Sequence, residues 1–321
     1  MKLEFYEIII EPLSAFGTPL KGDTLFGQFC WQASYQTELL SSKFEDVIAE
    51  YAKKPFIVFS SAFPVFTDPE KVYLLKRPDI PAYMIFQRKS MCRREFREKA
   101  RKNGRKNWIP VKQDLTVDLK KIDDDPYDDL FRQADQARNS INRITGATGK
   151  DHFAPYMTHI RFYRPGIRLV IFALIDTAQT DIERVGRGLE GIGKYGFGKD
   201  ASTGMGRFRI LEKNKLRRHD NKNVKAIYTL APCVPAGSFF SKEYFKLFVR
   251  FGKHGDRLAV SRNPFKKPVM MADEGAVCQL GEDQSVLDQP YIGKAVTHIS
   301  VAEEKTVAQG YAPYLPVKNW E

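Results

Sequence analysis

The segment from residue 193 to residue 208 has the composition of a loop that binds phosphate groups. It reads G-K-Y-G-F-G-K-D-A-S-T-G-M-G-R-F and contains five glycines. Glycine permits tight turns and a close approach of the backbone to a ligand, and successive N–H groups in such a loop can surround a phosphate. Basic side chains add positive charge. We therefore predict that Gly196, Gly198, Lys199 and Arg207 bind an anionic ligand.

Two nucleotide-binding motifs match this segment, but their structural context does not. Residues 193–199 fit G-x-x-x-x-G-K, although Asp200 stands where a P-loop needs a hydroxyl group for magnesium. Residues 196–201 fit the looser dinucleotide fingerprint. Both motifs require a strand before the loop and a helix after it. Here the pattern predicts a helix over 180–192 and a strand over 208–211, so the order is reversed and both motifs are disfavoured.

A second group of hydrogen-bond donors lies between residues 138 and 150. This segment reads R-N-S-I-N-R-I-T-G-A-T-G-K, and arginine and asparagine side chains suit both phosphates and base edges. The residues that we predict to contact nucleic acid here are Arg138, Asn139, Asn142, Arg143 and Thr145. Aromatic residues follow at positions 153, 156, 162 and 163. Exposed ones could stack on bases, but most of them are expected in the core.

Lys21 is a further candidate because it precedes a predicted helix. The apolar spacing over residues 25–33 indicates a helix that Asp23 or Thr24 would cap. The free N–H groups and the dipole at a helix N-terminus favour an anion. The sequence is equally compatible with an anion-binding Lys21 and with a lysine that simply remains solvated.

The charge of the chain favours a polyanionic partner. Its 321 residues carry a formal net charge of +12, which points first to nucleic acid and second to an anionic membrane. Ten of the nineteen residues from 88 to 106 are Lys or Arg, and few are apolar, which predicts a solvated basic arm that contacts phosphates. No segment is apolar enough to anchor in a membrane or to cross one, so no membrane partner is predicted.

The remaining reactive residues predict neither a metal nor a cofactor. The four cysteines are scattered without a C-x-x-C pair, which disfavours a zinc site and a disulfide framework. The acidic run at 123–129 is more typical of a helix start than of a metal site. The first ten residues carry acids among their hydrophobes and read as a strand, not as a signal peptide. A reducing cytoplasm is the expected location.

The elements that must position these residues predict an α+β fold. The predicted elements are a strand at 3–11, a helix from residue 24, strands at 56–60 and 72–75, strands at 157–164 and 167–176, a helix at 180–192 and a strand at 208–211. The strands on either side of Pro165-Gly166 read as a hairpin. This is the β-α-β-β-α-β order of a ferredoxin-like (RRM-like) domain.

Two domains are predicted from the length and the patterning. The ferredoxin-like domain would span 1–212, with the basic arm inserted at about 85–155 and the glycine-rich loop at 193–208. A basic linker over 213–225 would lead to a second, strand-rich α+β domain over 226–321. We interpret this second domain as a degenerate ferredoxin-like copy of the first.

Several of these segments together resemble the RAMP superfamily of CRISPR-associated proteins. The resemblance is greatest to the subunit of type III-A (Csm) effector complexes that caps the 5′ end of the guide RNA. The segments that carry it are residues 18–27, 138–149, 195–208, 263–268 and 309–314. Gln28 departs from the pattern, because such proteins often have histidine there. The resemblance implies a protein that holds the 5′ tag of the CRISPR RNA and docks a large polymerase/cyclase-like subunit and a backbone RAMP subunit.

The same superfamily includes metal-independent RNA endonucleases, so catalysis is the alternative. Such cleavage needs a general base and a general acid, typically histidines near neutral pH. His152 and His159 are the only histidines close to the arginine–asparagine segment. The maturation enzymes tend to carry their glycine-rich loop near the C-terminus, whereas over a hundred residues follow it here. We predict a non-catalytic RNA-binding protein, with the endoribonuclease as the alternative.

Overall fold

The structure is a computed structural model that describes residues 2–86, 91–123, 127, 130–149, 153–218, 224–237 and 239–320. The helices in these ranges are α1 (Gly22–Tyr35), α2 (Phe44–Ala49), α3 (Ala82–Ile85), α4 (Arg93–Asn103) and α5 (Ile182–Tyr195). The strands of the first half are β1 (Leu3–Pro12), β2 (Ile57–Phe66), β3 (Val72–Lys76), β4 (Trp108–Val111), β5 (Val117–Asp118), β6 (Phe131–Arg138), β7 (Tyr156–Tyr163), β8 (Arg168–Asp176) and β9 (Phe208–Leu216). Those of the second half are β10 (Ala226–Thr229), β11 (Phe240–Tyr244), β12 (Leu247–Arg250), β13 (Val269–Ala272), β14 (Val277–Leu280), β15 (Tyr291–Gly293) and β16 (Tyr311–Lys318).

The first sheet is antiparallel and has the order β4-β3-β2-β8-β1-β9. Strands β1, β2, β8 and β9 alternate along the chain with α1 and α5 in the order β-α-β-β-α-β. The two helices lie against each other, since a Cβ on Gly188 of α5 would meet the Phe29 ring of α1 at 2.5 Å. Ile8, Ile9 and Ile10 are fully buried, which fits a central strand that is covered on both faces.

Strands β7 and β8 do not form the predicted hairpin. Strand β7 pairs with β6 in a separate two-stranded sheet, whereas β8 pairs with β1 and β2. The difference follows from their sequences. Strand β8 is apolar on both faces and buried from Leu169 onward, so it belongs at the centre of the main sheet. Strand β7 is buried only at Thr158 and Ile160, so it lies at the surface.

The second half forms another antiparallel sheet with the order β11-β14-β10-β16-β15. Strand β5 of the first half joins it by pairing in parallel with β16. Within residues 224–237 and 239–320 there is no α-helix, only the 3-10 turns Asp256–Val260 and Ser285–Asp288. This part of the chain therefore lacks the helical layer that the predicted ferredoxin-like copy requires.

The two halves share one hydrophobic core, in which Tyr228, Leu230 and Leu315 join residues of the first sheet. The Gln309 side chain also bridges them: it accepts a hydrogen bond from the Phe59 amide at 2.9 Å and donates one to the Phe59 carbonyl at 2.7 Å. The division at residues 213–225 stays a prediction. Strand β9 occupies the first residues of that predicted linker, and residues 219–223 lie outside the described residues.

The predicted basic arm is a helix fixed to the main sheet. Helix α4 begins after a capping box formed by Cys92 and Glu95 and ends at Asn103, with Gly104 as its C-cap. The Asn103 side chain is buried and accepts two hydrogen bonds from the Arg77 guanidinium, at 2.9 and 2.7 Å. Strand β4 then pairs with β3. Residues 87–90, and most of the acidic run at 123–129, lie outside the described residues.

Helices in the described part of the chain are all too short or too polar to span a bilayer.

Candidate nucleic-acid interface

The glycine-rich loop is a closed and well-anchored turn. Helix α5 ends where Gly196 takes a φ of +102°. Phe197 is fully buried, and its amide donates to the Gly206 carbonyl at 2.9 Å. The Gly206 amide in turn donates to the Ala15 carbonyl at 2.7 Å. Because its backbone groups bond to one another and to the segment after β1, the loop is held in one shape.

Most of its glycines are needed for packing inside the protein. A Cβ on Gly198, whose φ is +75°, would lie 2.5 Å from the Thr18 Cβ. A Cβ on Gly196 would meet the Met205 carbonyl at 2.4 Å, and one on Gly206 would meet the Phe197 carbonyl at 2.2 Å. Only Gly204, among the glycines from 193 to 206, faces open space. These glycines therefore allow close packing within the protein, and contact of Gly196 and Gly198 with a ligand stays a prediction.

The β6–β7 hairpin lies beside this loop and brings together residues distant in sequence. Phe16, in the segment after β1, exchanges two backbone hydrogen bonds of 2.9 Å with Arg161 of β7. The Lys199 ammonium donates to the Thr158 hydroxyl at 3.2 Å and lies 5.7 Å from the Tyr156 ring centroid. On the neighbouring strand, Arg138 lies opposite Tyr156 in the register. We call Arg138, Tyr156, Thr158, Lys199 and Asp200 the hairpin–loop surface.

Asp200 is the acidic residue of this surface and forms an ion pair with Arg138. Its Oδ2 lies 3.6 Å from Nη2 of Arg138, too far for a hydrogen bond. Arg138 Nε and Asp200 Oδ2 are both buried and without a hydrogen-bond partner among the described residues. Arg138 thus keeps a donor that is not satisfied within the protein. Its Nη2 donates to the Gln136 side chain at 3.1 Å, so the guanidinium is partly satisfied within the hairpin.

The other predicted donors lie at the tip of the hairpin or at the end of the loop. Asn139, Arg143 and Thr145 are exposed, as is Arg207. Asn142 closes the turn. Its side-chain Oδ1 accepts a hydrogen bond from the Ile144 backbone amide at 2.9 Å, and its backbone amide donates to the Ala147 carbonyl at 3.0 Å. The oxygen of Asn142 is therefore already engaged. The hydrogen bonds that Asn142 makes stay within the tip of the hairpin.

Lys21 has a different environment from the one predicted. Its ammonium forms ion pairs with Asp273 and Glu274, the latter at 2.7 Å, and lies 4.4 Å above the Phe248 ring. Lys76 lies 3.0 Å from Asp273 Oδ2 and donates to the backbone carbonyl of Glu274 at 2.7 Å. Burial raises the pKa of Glu274, whereas hydrogen bonding with Glu274 and the charge of Lys21 outweigh burial and lower the pKa of Asp273. The charge of Lys21 is thus neutralised internally.

Sequence reasoning missed the exposed aromatic residues of the hairpin. Tyr156 is 49% exposed and Phe162 is 46% exposed, although most of this aromatic cluster was expected in the core. Tyr163 meets that expectation better, since it is partly buried and packs edge-on against Phe16 at 5.7 Å. Strand alternation could not have separated the two kinds, because exposed Tyr156 and Phe162 lie on the same face as buried Thr158 and Ile160.

His159 is the one candidate general base that the structure describes, since His152 lies outside the described residues. Its Nδ1 bonds to Asp135 Oδ1 across the hairpin, and its side chain is 84% exposed. Among the described residues, no group of three or more His, Cys, Asp or Glu side chains is arranged to hold a metal ion. The four cysteines are all unpaired.

Solved structures share this fold over nearly its whole length. A chain in the crystal structure of a Csm1-Csm4 cassette in complex with pppApA has a TM-score of 0.57 and 15% identity, covering 98% of both chains. A chain of that cassette in complex with cA3 has a TM-score of 0.57 and 16% identity, with the same coverage. A chain of a Csm3-Csm4 subcomplex in the type III-A CRISPR-Cas interference complex has a TM-score of 0.54 and 14% identity, covering 97% of this chain and 99% of that chain.

These structural similarities are not accompanied by detectable similarity in sequence alone. No protein-family model matches the chain, and no curated protein matches it. At identities of 14–16% the likeness establishes the fold. The chain has the fold of a Csm4-like RAMP protein, as its sequence resemblance implied.

Proposed function

We propose that this chain is a non-catalytic RNA-binding subunit of a type III-A CRISPR ribonucleoprotein effector complex. In this role it caps the 5′ tag of the CRISPR RNA and docks a large polymerase/cyclase-like subunit and a backbone RAMP subunit. The observation that carries the proposal is the hairpin–loop surface, where two cations and an exposed tyrosine meet beside a fixed loop. The Csm4-like fold limits the class of complex in which such a surface would act.

The strand order supports a ferredoxin-like first domain as the frame of this surface. The order β9-β1-β8-β2, with α1 and α5 as the connections, places the glycine-rich loop between the second of these helices and the last strand. The β6–β7 hairpin is inserted between β2 and β8 and folds back next to that loop. An RNA strand lying between hairpin and loop would meet groups from both.

The chemistry of the surface suits single-stranded RNA. The Arg138 side chain is 24% exposed, and arginine can donate two hydrogen bonds to one phosphate at once. Lys199 is exposed and supplies a point charge. The half-exposed ring of Tyr156 offers a platform for base stacking. Exposed Asn139 and Arg143 at the hairpin tip could then reach base edges and further phosphates.

RNA cleavage is the second candidate, and the contact between His159 and Asp135 is the observation that favours it. A carboxylate that orients a histidine is common where that histidine acts as a general base. Cleavage would also need a general acid on the other side of the scissile phosphate. Incubation of the purified protein with labelled repeat RNA, with and without magnesium, tests this directly. We expect the RNA to remain intact. If the RNA is cleaved and His159→Gln abolishes that cleavage, the protein is an endoribonuclease and the non-catalytic proposal is wrong.

The RNA-binding proposal is tested by measuring affinity for a 5′-tagged RNA and for a scrambled RNA over a range of salt concentrations. Lys199→Met should lower the affinity for both RNAs about tenfold, which is about 1.4 kcal/mol of binding free energy. It should also reduce the slope of log affinity against log salt concentration by about one unit. Lys242, exposed in the second half, provides the matched control Lys242→Met, which should leave both quantities unchanged.

Arg138 and Asn139 separate positioning from sequence recognition. Arg138→Lys should lower the affinity for both RNAs, because lysine keeps the charge but cannot form the bidentate hydrogen bonds of arginine. Asn139→Ala should instead reduce the preference for the tagged RNA over the scrambled one. If Lys199→Met, Arg138→Lys and Asn139→Ala all bind like the unsubstituted protein, RNA does not occupy the hairpin–loop surface.

A further inference from the structure

A cavity of about 300 Å³ lies between the two halves of the chain. One wall comes from α1 and α2, and the other comes from residues near His254, from Lys266 and from residues near Val307. This volume lies at the small end of the range for small-molecule sites, so it suits one ring-sized molecule. The hairpin–loop surface is made by other residues, so the cavity is separate from the proposed RNA site.

Helix α1 leaves space in the cavity at Gly27. The cavity is lined by Gly27, Cys30, Trp31 and Ser34, whose spacing places them on one face of the helix. Glycine weakens the interior of a helix. Close packing does not require it here, because a Cβ on Gly27 would have no surrounding atom within 4 Å. The absence of a side chain at Gly27 therefore keeps the cavity open.

Lys266 brings a positive charge to this cavity. Its Cδ would lie 3.2 Å from a Cβ on Gly252, so the side chain packs along the backbone there. Within the described part of the chain, its ammonium has neither a hydrogen bond nor an ion pair. The Asp23 carboxylate, which is near enough to act on Lys266, is bound by the Arg250 guanidinium at 2.5 and 2.9 Å. Lys266 thus lacks the carboxylate partners that Lys21 has.

Burial lowers the pKa of Lys266, and the neighbouring Cys30 and Asp23 oppose this shift only in part. Burying an ammonium without a partner is costly, and a carboxylate placed beside it offsets that cost. The cavity therefore favours a ligand that carries a negative charge at the end where Lys266 lies.

The other charged groups of the cavity indicate a ligand with a single negative charge. Four exposed charged residues also line the cavity, two of them basic and two acidic: Arg257, Lys305, Glu45 and Glu303. His254 is buried, and its Nε2 lies 2.7 Å from the Ser300 hydroxyl. Lys266 is thus the buried cation that the lining leaves unopposed. One ammonium matches a carboxylate better than a doubly charged phosphate, which normally takes several cationic or N–H donors.

The rest of the wall is largely apolar. Its apolar side chains are Trp31, Phe44, Ile48, Leu258 and Val307. The indole of Trp31 is held against the second half, since a Cβ on Gly255 would lie 3.2 Å from its Nε1. Flat rings pack well against an indole. An apolar ring would therefore fill the space that Gly27 leaves beside Trp31.

We propose that this cavity binds a small organic carboxylate, whose carboxylate pairs with the Lys266 ammonium and whose ring-sized apolar body packs against Trp31. The inference goes beyond the proposed function and does not depend on RNA binding.

The test uses the full chain with phenylacetate as the probe and uncharged phenylacetamide as the matched control probe. The chain has three tryptophans, so labelling with ¹⁵N gives three indole N–H signals in the NMR spectrum. Trp31→Phe identifies the signal of Trp31. We expect phenylacetate to shift this signal, and phenylacetamide to bind about tenfold more weakly because it lacks the charge.

Two variants test the two parts of the cavity separately. Lys266→Met should lower the affinity for phenylacetate about tenfold, while its RNA affinity stays unchanged. Lys267→Met is the matched control, because Lys267 is the exposed neighbour and lies outside the lining. Gly27→Leu fills the cavity without changing its charge and should also weaken phenylacetate binding about tenfold. Both cavity variants should stay folded, since one removes an unpaired buried charge and the other places a better helix former in α1.

Several results would overturn the proposal. An unshifted Trp31 signal at millimolar phenylacetate would do so, as would equal binding of phenylacetamide or unchanged binding in Lys266→Met or Gly27→Leu. Tighter binding of inorganic phosphate or of AMP would show that the site takes phosphate instead. A loss of RNA affinity in Lys266→Met would show that RNA enters the cavity. A lower urea midpoint for Lys266→Met would show that the ammonium is paired in the folded chain.

Discussion

Lys21 and Lys199 carry the same side chain and are surrounded by opposite environments. Both follow glycine- or proline-containing turns, and both were candidates for binding an anion. In the folded chain Lys21 is 13% exposed and is held by two carboxylates of the second half. Lys199 is exposed, and its nearest polar partner is a neutral hydroxyl group. The charge of Lys21 is therefore held within the protein, whereas the described contacts of Lys199 leave its charge without a carboxylate.

The strongest test of this contrast replaces each lysine by methionine. Lys21→Met should lower the free energy of unfolding by about 3–5 kcal/mol, because it leaves Glu274 as a buried carboxyl without its cation. Lys199→Met should change stability by less than about 1 kcal/mol, because its ammonium contacts only a hydroxyl and the solvent. Urea unfolding followed by circular dichroism measures both values.

For RNA affinity, Lys199→Met should have a larger effect than Lys21→Met, the opposite of the order expected for stability. Folded Lys21→Met should bind RNA as the unsubstituted protein does, whereas Lys199→Met should bind more weakly. The double variant Lys21→Met/Glu274→Gln should recover part of the lost stability, since the stranded carboxyl is then removed. If Lys21→Met were as stable as the unsubstituted chain and bound RNA more weakly, Lys21 would belong to the RNA site and the contrast would be wrong.

A second test asks whether the glycine-rich loop is shaped by packing. Gly198 and Gly204 both have positive φ, +75° and +90°, so an alanine is strained at either position. The new Cβ would also collide at Gly198, because it would lie 2.5 Å from the Thr18 Cβ. A new Cβ at Gly204 would have no neighbouring atom within 4 Å. Gly198→Ala should therefore cost about 2–4 kcal/mol and Gly204→Ala about 1–2 kcal/mol.

The same pair of variants reports on RNA binding. Gly198→Ala should displace Lys199, whose amide donates to the Thr18 hydroxyl at 2.9 Å, and so weaken RNA binding several-fold. Gly204→Ala should leave the affinity close to that of the unsubstituted protein. Equal losses of stability and of RNA affinity in the two variants would show that backbone strain, not packing against Thr18, decides the shape of the loop.

The local elements were predictable because each depends on residues close in sequence. The helix expected at 180–192 is observed as Ile182–Tyr195, and the glycine at its end has the positive φ that such an end requires. The pairing of strands was less predictable. Pro165-Gly166 does make a turn, but β8 is apolar on both faces and is drawn to the centre of the main sheet, which leaves β7 to pair with β6.

The candidate site was predictable in composition and not in arrangement. Arg138 and Lys199 were identified from their segments, and the structure places them on one surface through Thr158 and Asp200. Nothing local to Lys21 reveals that Asp273 and Glu274 neutralise it, because the contact joins the two halves of the protein. Long-range ion pairs of this kind depend on the whole fold, which periodicity and spacing do not encode.

His254 is, like Lys21, a polar side chain whose hydrogen-bonding partner lies inside the protein. We expect its replacement to change stability less than that of Lys21. It is 5% exposed, and its Nε2 lies 2.7 Å from the Ser300 hydroxyl. That hydroxyl oxygen already accepts hydrogen bonds from the amides of Ala302 and Glu303, both at 3.1 Å. Its proton must therefore be donated to Nε2, which requires a neutral imidazole.

Burial, followed by the charge of Lys266, lowers the pKa of His254, and the charge of Glu303 offsets this only in part. Because the folded pKa lies below the unfolded value of about 6.5, the unfolded chain takes up more protons as the pH falls. The stability contribution of His254 is thus present above pH ~6.5 and is lost below it. Unfolding in urea at pH 7.5 and pH 5.5 should show a smaller loss for His254→Gln than for the unsubstituted chain. An identical loss in His254→Gln and in the unsubstituted chain would show that His254 is not held neutral by its surroundings.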